Sequence, residues 1–295
     1  MKKTKLLVTT LVSILATCGC NNEVSSSTSS QASNSIVSTS STSNLVTYKM
    51  NIMAINGKAL KNVTVKIYNE SDLVETLKSD FYGRAEITLV RGNYTAKLEN
   101  LPEGMYSEDT FTLKEGEENN LACYANPIEG GVPNGTFYNV GDLAYNFSFI
   151  NTNGEKVKLS TLLENKKGVI LNFWGTTCVP CQEEFPYIEQ LHNSYKDQVE
   201  IIALSVEDSI TSVINFQTDH EYTFTMGVDV GKSIFRPFLA YFGNPTTGSY
   251  SIPATAFIDK YGFINRLNAG SYIDYETLES NCLELINKYE EVSIE

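Results

Sequence analysis

The strongest constraint on this chain is a pair of cysteines three positions apart, Cys178 and Cys181. They sit in the run Asn-Phe-Trp-Gly-Thr-Thr-Cys-Val-Pro-Cys-Gln-Glu-Glu-Phe-Pro over residues 172–186. An apolar, β-branched run over 168–173 leads into it, and a helix-compatible run from 182 to about 195 leads out. Strand, C-x-x-C, helix is a context that points to redox chemistry. Cys178 falls at or just before the helix start, where unpaired N–H groups and the positive end of the dipole favour negative charge. A lowered thiol pKa and a larger thiolate fraction follow. Cys181 is about one turn further on, so its sulfur lies under that of Cys178. One thiol can then attack a disulfide and the other can resolve the mixed disulfide. Pro180 lacks an N–H, which is no loss in a first turn. Zinc is the rival reading, but one C-x-x-C is half a tetrahedral site. Beyond the first 20 residues the chain adds only His192, His220, Cys123 and Cys282, with no second paired spacing, so no metal is expected.

Residues 172–186 resemble the TlpA/ResA family of thioredoxin-like, membrane-tethered thiol–disulfide oxidoreductases of the bacterial cell envelope. The resemblance covers 136–289, roughly half the chain. A second signature, Ser-Ile-Pro-Ala-Thr-Ala-Phe-Ile-Asp-Lys-Tyr-Gly over 251–262, is similar to the family's cis-proline strand and following turn. The resemblance implies that Pro253 is cis and that Ile252 faces the cysteine pair. The preceding backbone is then free to pair with a substrate strand. A cis X–Pro bond is a minority state that tertiary structure must hold. Trp174 is expected to pack beside the pair and, with Ile252 and Pro253, to complete the substrate-binding set. Some positions depart from the family. Thr177 replaces the usual Trp and should open the site. Val179 stands where some reductive members carry Glu. Asn172 stands where thioredoxins proper keep a buried Asp. Glu183 and Glu184 are expected to be solvated helix residues, which leaves the site without a local carboxylate.

The start of the chain reads as a leader. Lys2, Lys3 and Lys5 form a basic segment, and 6–16 is an apolar run too short to span a bilayer. Leu-Ala-Thr-Cys-Gly-Cys follows over 15–20, and a small residue before such a Cys resembles a bacterial lipoprotein signal. Cys20, preceded by Gly19, is the favoured lipidation site. Cys18, with Leu15 three positions back, is the alternative, and an ordinary cleaved signal peptide is the rival reading of 1–20. Residues 21–44 are almost all Ser, Thr, Asn and Gln and cannot form a core, so they read as a disordered tether. A flexible chain of that length spans roughly 25–30 Å. The net charge of −13 argues against nucleic-acid binding and against docking on anionic lipid.

Residues 46–126 read as a small all-β sandwich domain. Strands are expected at 46–55, 63–68, 76–79, 85–90, 94–98, 110–113 and 120–124, with turn signals between them. The segments 56–63, 80–85 and 91–94 resemble prealbumin-like or carboxypeptidase-regulatory-like modules, which speak to fold and hardly to function. The expected role is a spacer or protein-contact module. Residues 127–135, rich in Gly and Pro, read as a linker. Residues 136–292 alternate strands and helices and finish with a hairpin and a helix. That order predicts an α/β thioredoxin fold, three layers around a central mixed sheet. In it Ser160 is expected to cap a short helix, and Pro186 to kink the helix after the motif. The aromatics Phe235, Phe238, Tyr241, Phe242 and Tyr250 fit either a substrate groove or a core.

These readings add up to an extracytoplasmic, lipid-anchored thiol–disulfide oxidoreductase. Cys178 and Cys181 are its catalytic residues, and it needs no bound cofactor. By the resemblance the direction is reductive: electrons come from a membrane donor of the CcdA/DsbD type and pass to oxidised envelope clients. One alternative is a non-enzymatic surface binding lipoprotein. The other is an envelope peroxidase of the peroxiredoxin class, which places Pro and Thr where this chain has Leu171 and Gly175.

Overall fold

In a computed structural model of the chain, residues 44–290 are described. The leader, the tether and both candidate lipidation sites, Cys18 and Cys20, lie outside the described residues. Alternating apolar and polar side chains turn 45–125 into eight strands. They are β1 (Leu45–Ala54), β2 (Thr64–Asn69), β3 (Asp72–Lys78), β4 (Arg84–Val90), β5 (Tyr94–Glu99), β6 (Met105–Ser107), β7 (Phe111–Leu113) and β8 (Glu118–Ala125). They form two four-stranded sheets, in the orders β4-β1-β8-β6 and β3-β2-β5-β7. In β1 the period of two sends Tyr48, Met50, Ile52 and Ala54 inward. There they meet Val65, Ile67, Ala96 and Leu121 in one core. The short strand β6 carries no alternation that the sequence reveals.

The remaining elements are β9 (Ser148–Ile150), β10 (Lys156–Lys158), α1 (Leu159–Leu163), β11 (Gly168–Trp174), α2 (Val179–Tyr195), β12 (Val199–Ser205), α3 (Ile210–His220), β13 (Thr225–Val228), α4 (Leu239–Phe242), β14 (Gly243–Asn244), β15 (Ser249–Tyr250), β16 (Ala254–Asp259), β17 (Ile264–Ala269) and α5 (Tyr275–Asn287). A five-stranded sheet, β13-β12-β11-β16-β17, forms the middle layer. β11, β12 and β13 are parallel, β16 is antiparallel to β11, and β17 is antiparallel to β16. Helices α2, α3 and α5 bury Phe185, Phe216 and Leu285 on one face. The other face receives α1, the β9–β10 hairpin and the 234–242 segment. This is the thioredoxin fold. No helix among the described residues is long and apolar enough to cross a membrane.

One local expectation is corrected, that for Ser160. Ser160 does not cap α1, which starts one residue earlier; its backbone N–H instead donates to Asn146 Oδ1 at 3.0 Å. Helix α2 passes through Pro186 as a single element, held by the buried residues Phe185, Ile188 and Leu191. Of the 235–250 aromatics, Phe235, Phe238 and Phe242 are core residues gathered on Phe173, whereas Tyr241 is exposed.

The segment after β8 is more than a spacer. Ile128 N–H donates to Ala144 O at 2.9 Å, and Asn146 N–H returns to Ile128 O at 2.7 Å. Gly141 N–H and Ala144 N–H donate to Ile264 O and Gly262 O in the β16–β17 hairpin. Phe263, from the turn of that hairpin, is buried in the core of the strand-rich lobe, with Leu143 and Tyr261 packed against it. The two lobes share that core.

Candidate functional site

β11 lies between β12 and β16, and all seven of its residues are buried. Its near-continuous apolar sequence is what a central strand covered on both faces requires. It ends at Trp174, and α2 begins at Val179 with Cys178 as its N-cap. The turn between them is pinned by Asp208, which accepts from Thr176 N–H at 2.7 Å, Thr176 Oγ1 at 2.6 Å and Ser205 Oγ at 2.6 Å. Burial alone would raise the Asp208 pKa, but these hydrogen bonds together outweigh it and hold the carboxyl below its usual range. Gly175 lies beside the far end of the Glu207 side chain. A Cβ on it would lie 2.9 Å from Glu207 Oε2 and 3.4 Å from Ile252 Cδ1. Asp208→Ala is expected to free the 175–177 turn at a cost of about 1–3 kcal/mol, read as a lower midpoint in urea unfolding.

Cys178 and Cys181 are joined as a disulfide, with their Cα atoms 5.3 Å apart. Cys178 is half-buried and reachable, while Cys181 is fully buried. Cys181 N–H points at Cys178 Sγ from 3.3 Å. In the dithiol state that N–H and the positive end of the helix dipole favour a Cys178 thiolate. Ile252 is followed by a cis bond to Pro253. The Ile252 carbonyl oxygen lies 3.6 Å from Cys178 Sγ. The structure therefore brings Cys178, Cys181, Ile252 and Pro253 together. Trp174 does not join them at the surface. It is fully buried, edge-on to Phe185 at 4.8 Å and tilted against Phe216 at 4.9 Å. It supports the helix that carries the cysteines.

Glu184 corrects the sequence reading most. Instead of being solvated, it is 0% exposed. Its Oε1 accepts from Asn172 Nδ2 at 2.8 Å and its Oε2 from Tyr272 N–H at 2.9 Å. Asn172 Nδ2 also reaches Thr255 Oγ1 at 3.1 Å, which ties β11, α2 and β16 together. Burial pushes the Glu184 carboxyl up to about 7, against the opposing pull of the Tyr272 and Asn172 hydrogen bonds. A buried carboxylate thus stands under the site, supplied from the helix instead of from position 172. Helical spacing held the signal: 181, 184, 185, 188 and 191 recur every three or four residues on one face. Asp208 left no comparable pattern, because it acts through backbone at a distance in sequence. His192, expected at the surface, is half-buried, and burial lowers its pKa. Cys123 and Cys282 are free, buried thiols in different cores. Burial pushes them up to about 11 and about 12.

The profile of the AhpC/TSA family matches residues 140–267. Thiol-disulfide oxidoreductase ResA of Halalkalibacterium halodurans is 33% identical over 147 residues, covering 50% of this chain and 76% of that protein. Thiol-disulfide oxidoreductase ResA of Bacillus thuringiensis is 36% identical over 124 residues, which is 42% of this chain and 65% of the length of that relative. A thioredoxin family thiol:disulfide interchange protein from Chlorobium tepidum superposes with a TM-score of 0.42 at 21% identity, over 50% of this chain and 99% of that one.

Proposed function

This chain belongs to the ResA family of thiol-disulfide oxidoreductases, and on that footing we propose that it exchanges a Cys178–Cys181 dithiol for the disulfides of protein clients. The observation that carries the proposal is the asymmetry of the pair: a reachable sulfur capping α2, bonded to a buried one. In the reductive direction Cys178 thiolate attacks one client sulfur. The client S–S bond breaks, and the departing client sulfur takes a proton. Cys181, once deprotonated, attacks Cys178 Sγ and releases the second client sulfur. Two electrons and two protons pass to the client, and the Cys178–Cys181 bond is restored.

Cys181 is buried, so its proton needs a local acceptor. Glu184, one turn along the same buried helix face, is the carboxylate placed for that task. Its pKa near neutrality lets it hold or release a proton at physiological pH. Ile252 and Pro253 present the backbone beside which a client strand would lie. Trp174 takes a supporting role.

The division into a sandwich at 46–126 and a redox domain at 136–292 belongs to the same proposal. So does anchoring through a lipidated Cys20, or Cys18, on the extracytoplasmic face of the membrane. A membrane dithiol donor of the CcdA/DsbD type would recharge the pair, and oxidised envelope proteins would be its clients. The family name of the 140–267 match raises the peroxidase reading again. At the positions where that chemistry uses Pro and Thr, this site has buried Leu171 and the crowded Gly175. One experiment separates the readings. Reduced full-length protein is mixed with an oxidised client protein, then with hydrogen peroxide. Release of two client thiols per protein, with no peroxide consumption above that of free dithiols, is the expected result. Peroxide consumption without client reduction would refute the exchange reading.

A further inference from the structure

We infer that the strand-rich lobe is a rigid standoff that holds the disulfide at the end of the 44–290 body opposite the N-terminal end of β1. The inference goes beyond the exchange reaction, since it assigns a task to a lobe that contributes nothing to the site. The topology carries it. β16 runs antiparallel to β11, so Asp259 pairs with Gly168 at one end and Ala254 with Phe173 at the other. The cysteines, Ile252 and Pro253 gather at the second end. Gly270 N–H, bonded to Pro253 O at 2.9 Å, brings the loop before α5 to the same place. The 259–263 turn lies at the first end, and there the strand-rich lobe docks.

β1 and β8 run parallel, and both point their C-terminal ends at that joint. Asn56 and Lys58, just past β1, bond to Gly141 O at 3.3 Å and Asp142 Oδ1 at 3.1 Å. Tyr124, near the end of β8, packs on Tyr261 with ring centroids 5.7 Å apart. Leu45 is at the opposite end of β1, paired with Val90. The rise along β1 is about 30 Å and along β16 about 17 Å, so two poles held in line by the joint would stand about 50 Å apart.

Three features make the joint stiff. Phe263, 1% exposed, plugs the core of the strand-rich lobe from the other lobe. Tyr106, Tyr124, Tyr261 and Tyr289 form a ladder of ring contacts across the joint. The backbone bonds of Ile128 with Ala144 and Asn146 tie the connecting segment to the redox lobe beside that joint. Glycine is required where the surfaces touch. A Cβ on Gly262 would lie 2.9 Å from Pro127 Cγ, and one on Gly104 2.7 Å from Leu143 Cδ2. Interdomain contacts of ordinary size leave relative motion as the default, but a shared core plug does not.

The test is a distance distribution between the poles in the full-length protein. Non-thiol spin labels are placed by genetic encoding at Leu45 and Ile273, 61% and 84% exposed, so that the cysteines are left alone. A single narrow population centred near 50 Å is expected. A broad distribution, or a mean below about 30 Å, would overturn the standoff. Phe263→Ser removes the plug and should at least double the width, with reduction of a small soluble disulfide unchanged. If that variant does not fold, Gly262→Ala drives a Cβ into Pro127 at the same joint and should broaden the distribution too. Unchanged width in a folded joint variant would show that this contact does not set the geometry.

Discussion

Cys178→Ser is expected to abolish reduction of a protein disulfide, with the rate falling by roughly three orders of magnitude or more, because the hydroxyl is a far weaker nucleophile at neutral pH. Cys181→Ser should fail differently. Cys178 is half-exposed and still caps α2 in that variant, so its thiolate still attacks. Nothing then resolves the mixed disulfide, and a covalent client adduct accumulates. Non-reducing electrophoresis with an oxidised client reads both outcomes: no adduct with Cys178→Ser, a stable adduct with Cys181→Ser. The reverse pattern would assign attack to the buried sulfur and contradict the access argument. If both variants keep an in vivo phenotype of the parent, the phenotype belongs to binding and not to exchange.

The second large effect concerns Glu184. Its folded-state pKa is raised by burial from 4.5 to about 7. Between those values the folded protein holds a proton that the unfolded chain has lost. Stability therefore falls as pH rises through this window, by about 3 kcal/mol in all at 1.36 kcal/mol per unit. Glu184→Gln should flatten that dependence and leave the protein more stable than the parent at pH 8, with little difference at pH 4.5. Asn172 can accommodate the change. Its Oδ1 has no hydrogen-bond partner among the described residues, so a turned amide can accept from the new Gln. Urea unfolding of the oxidised protein at the two pH values measures this. If Glu184 also takes the Cys181 proton, the resolving step in the variant should lose its inflection near pH 7. An unaltered pH profile for that step would restrict Glu184 to a structural role.

What the sequence revealed depended on how local the physics is. The strand, the cysteine pair and the helix of 168–195 are contiguous, so periodicity and spacing expose them. The β16–β17 hairpin was equally legible, since a strand, a Gly turn and a second strand are sequence neighbours. The placement of Glu184 was misjudged because a charged residue after a motif is ordinarily solvated. Here the N–H of Tyr272 and the amide of Asn172, both distant in sequence, make burial tolerable. Trp174 shows the converse. Its nearness to the cysteines in sequence suggested contact with clients, whereas strand pairing turns it into the core. The joint left no local signal either: Phe263 is buried in the core of the strand-rich lobe, and no pattern in 127–135 announces a partner more than a hundred residues away.

The exchange function requires a reversible dithiol–disulfide couple at Cys178 and Cys181. Its most direct test is equilibration of the full-length protein in redox buffers of graded potential, with the 178–181 thiols counted by mass after alkylation. The expected result is one two-electron transition near the reducing end of the range for this fold, roughly −270 mV, with Cys123 and Cys282 alkylated only after denaturation. A transition near roughly −120 mV would reverse the direction of electron flow. No reversible transition at all would contradict the exchange function itself.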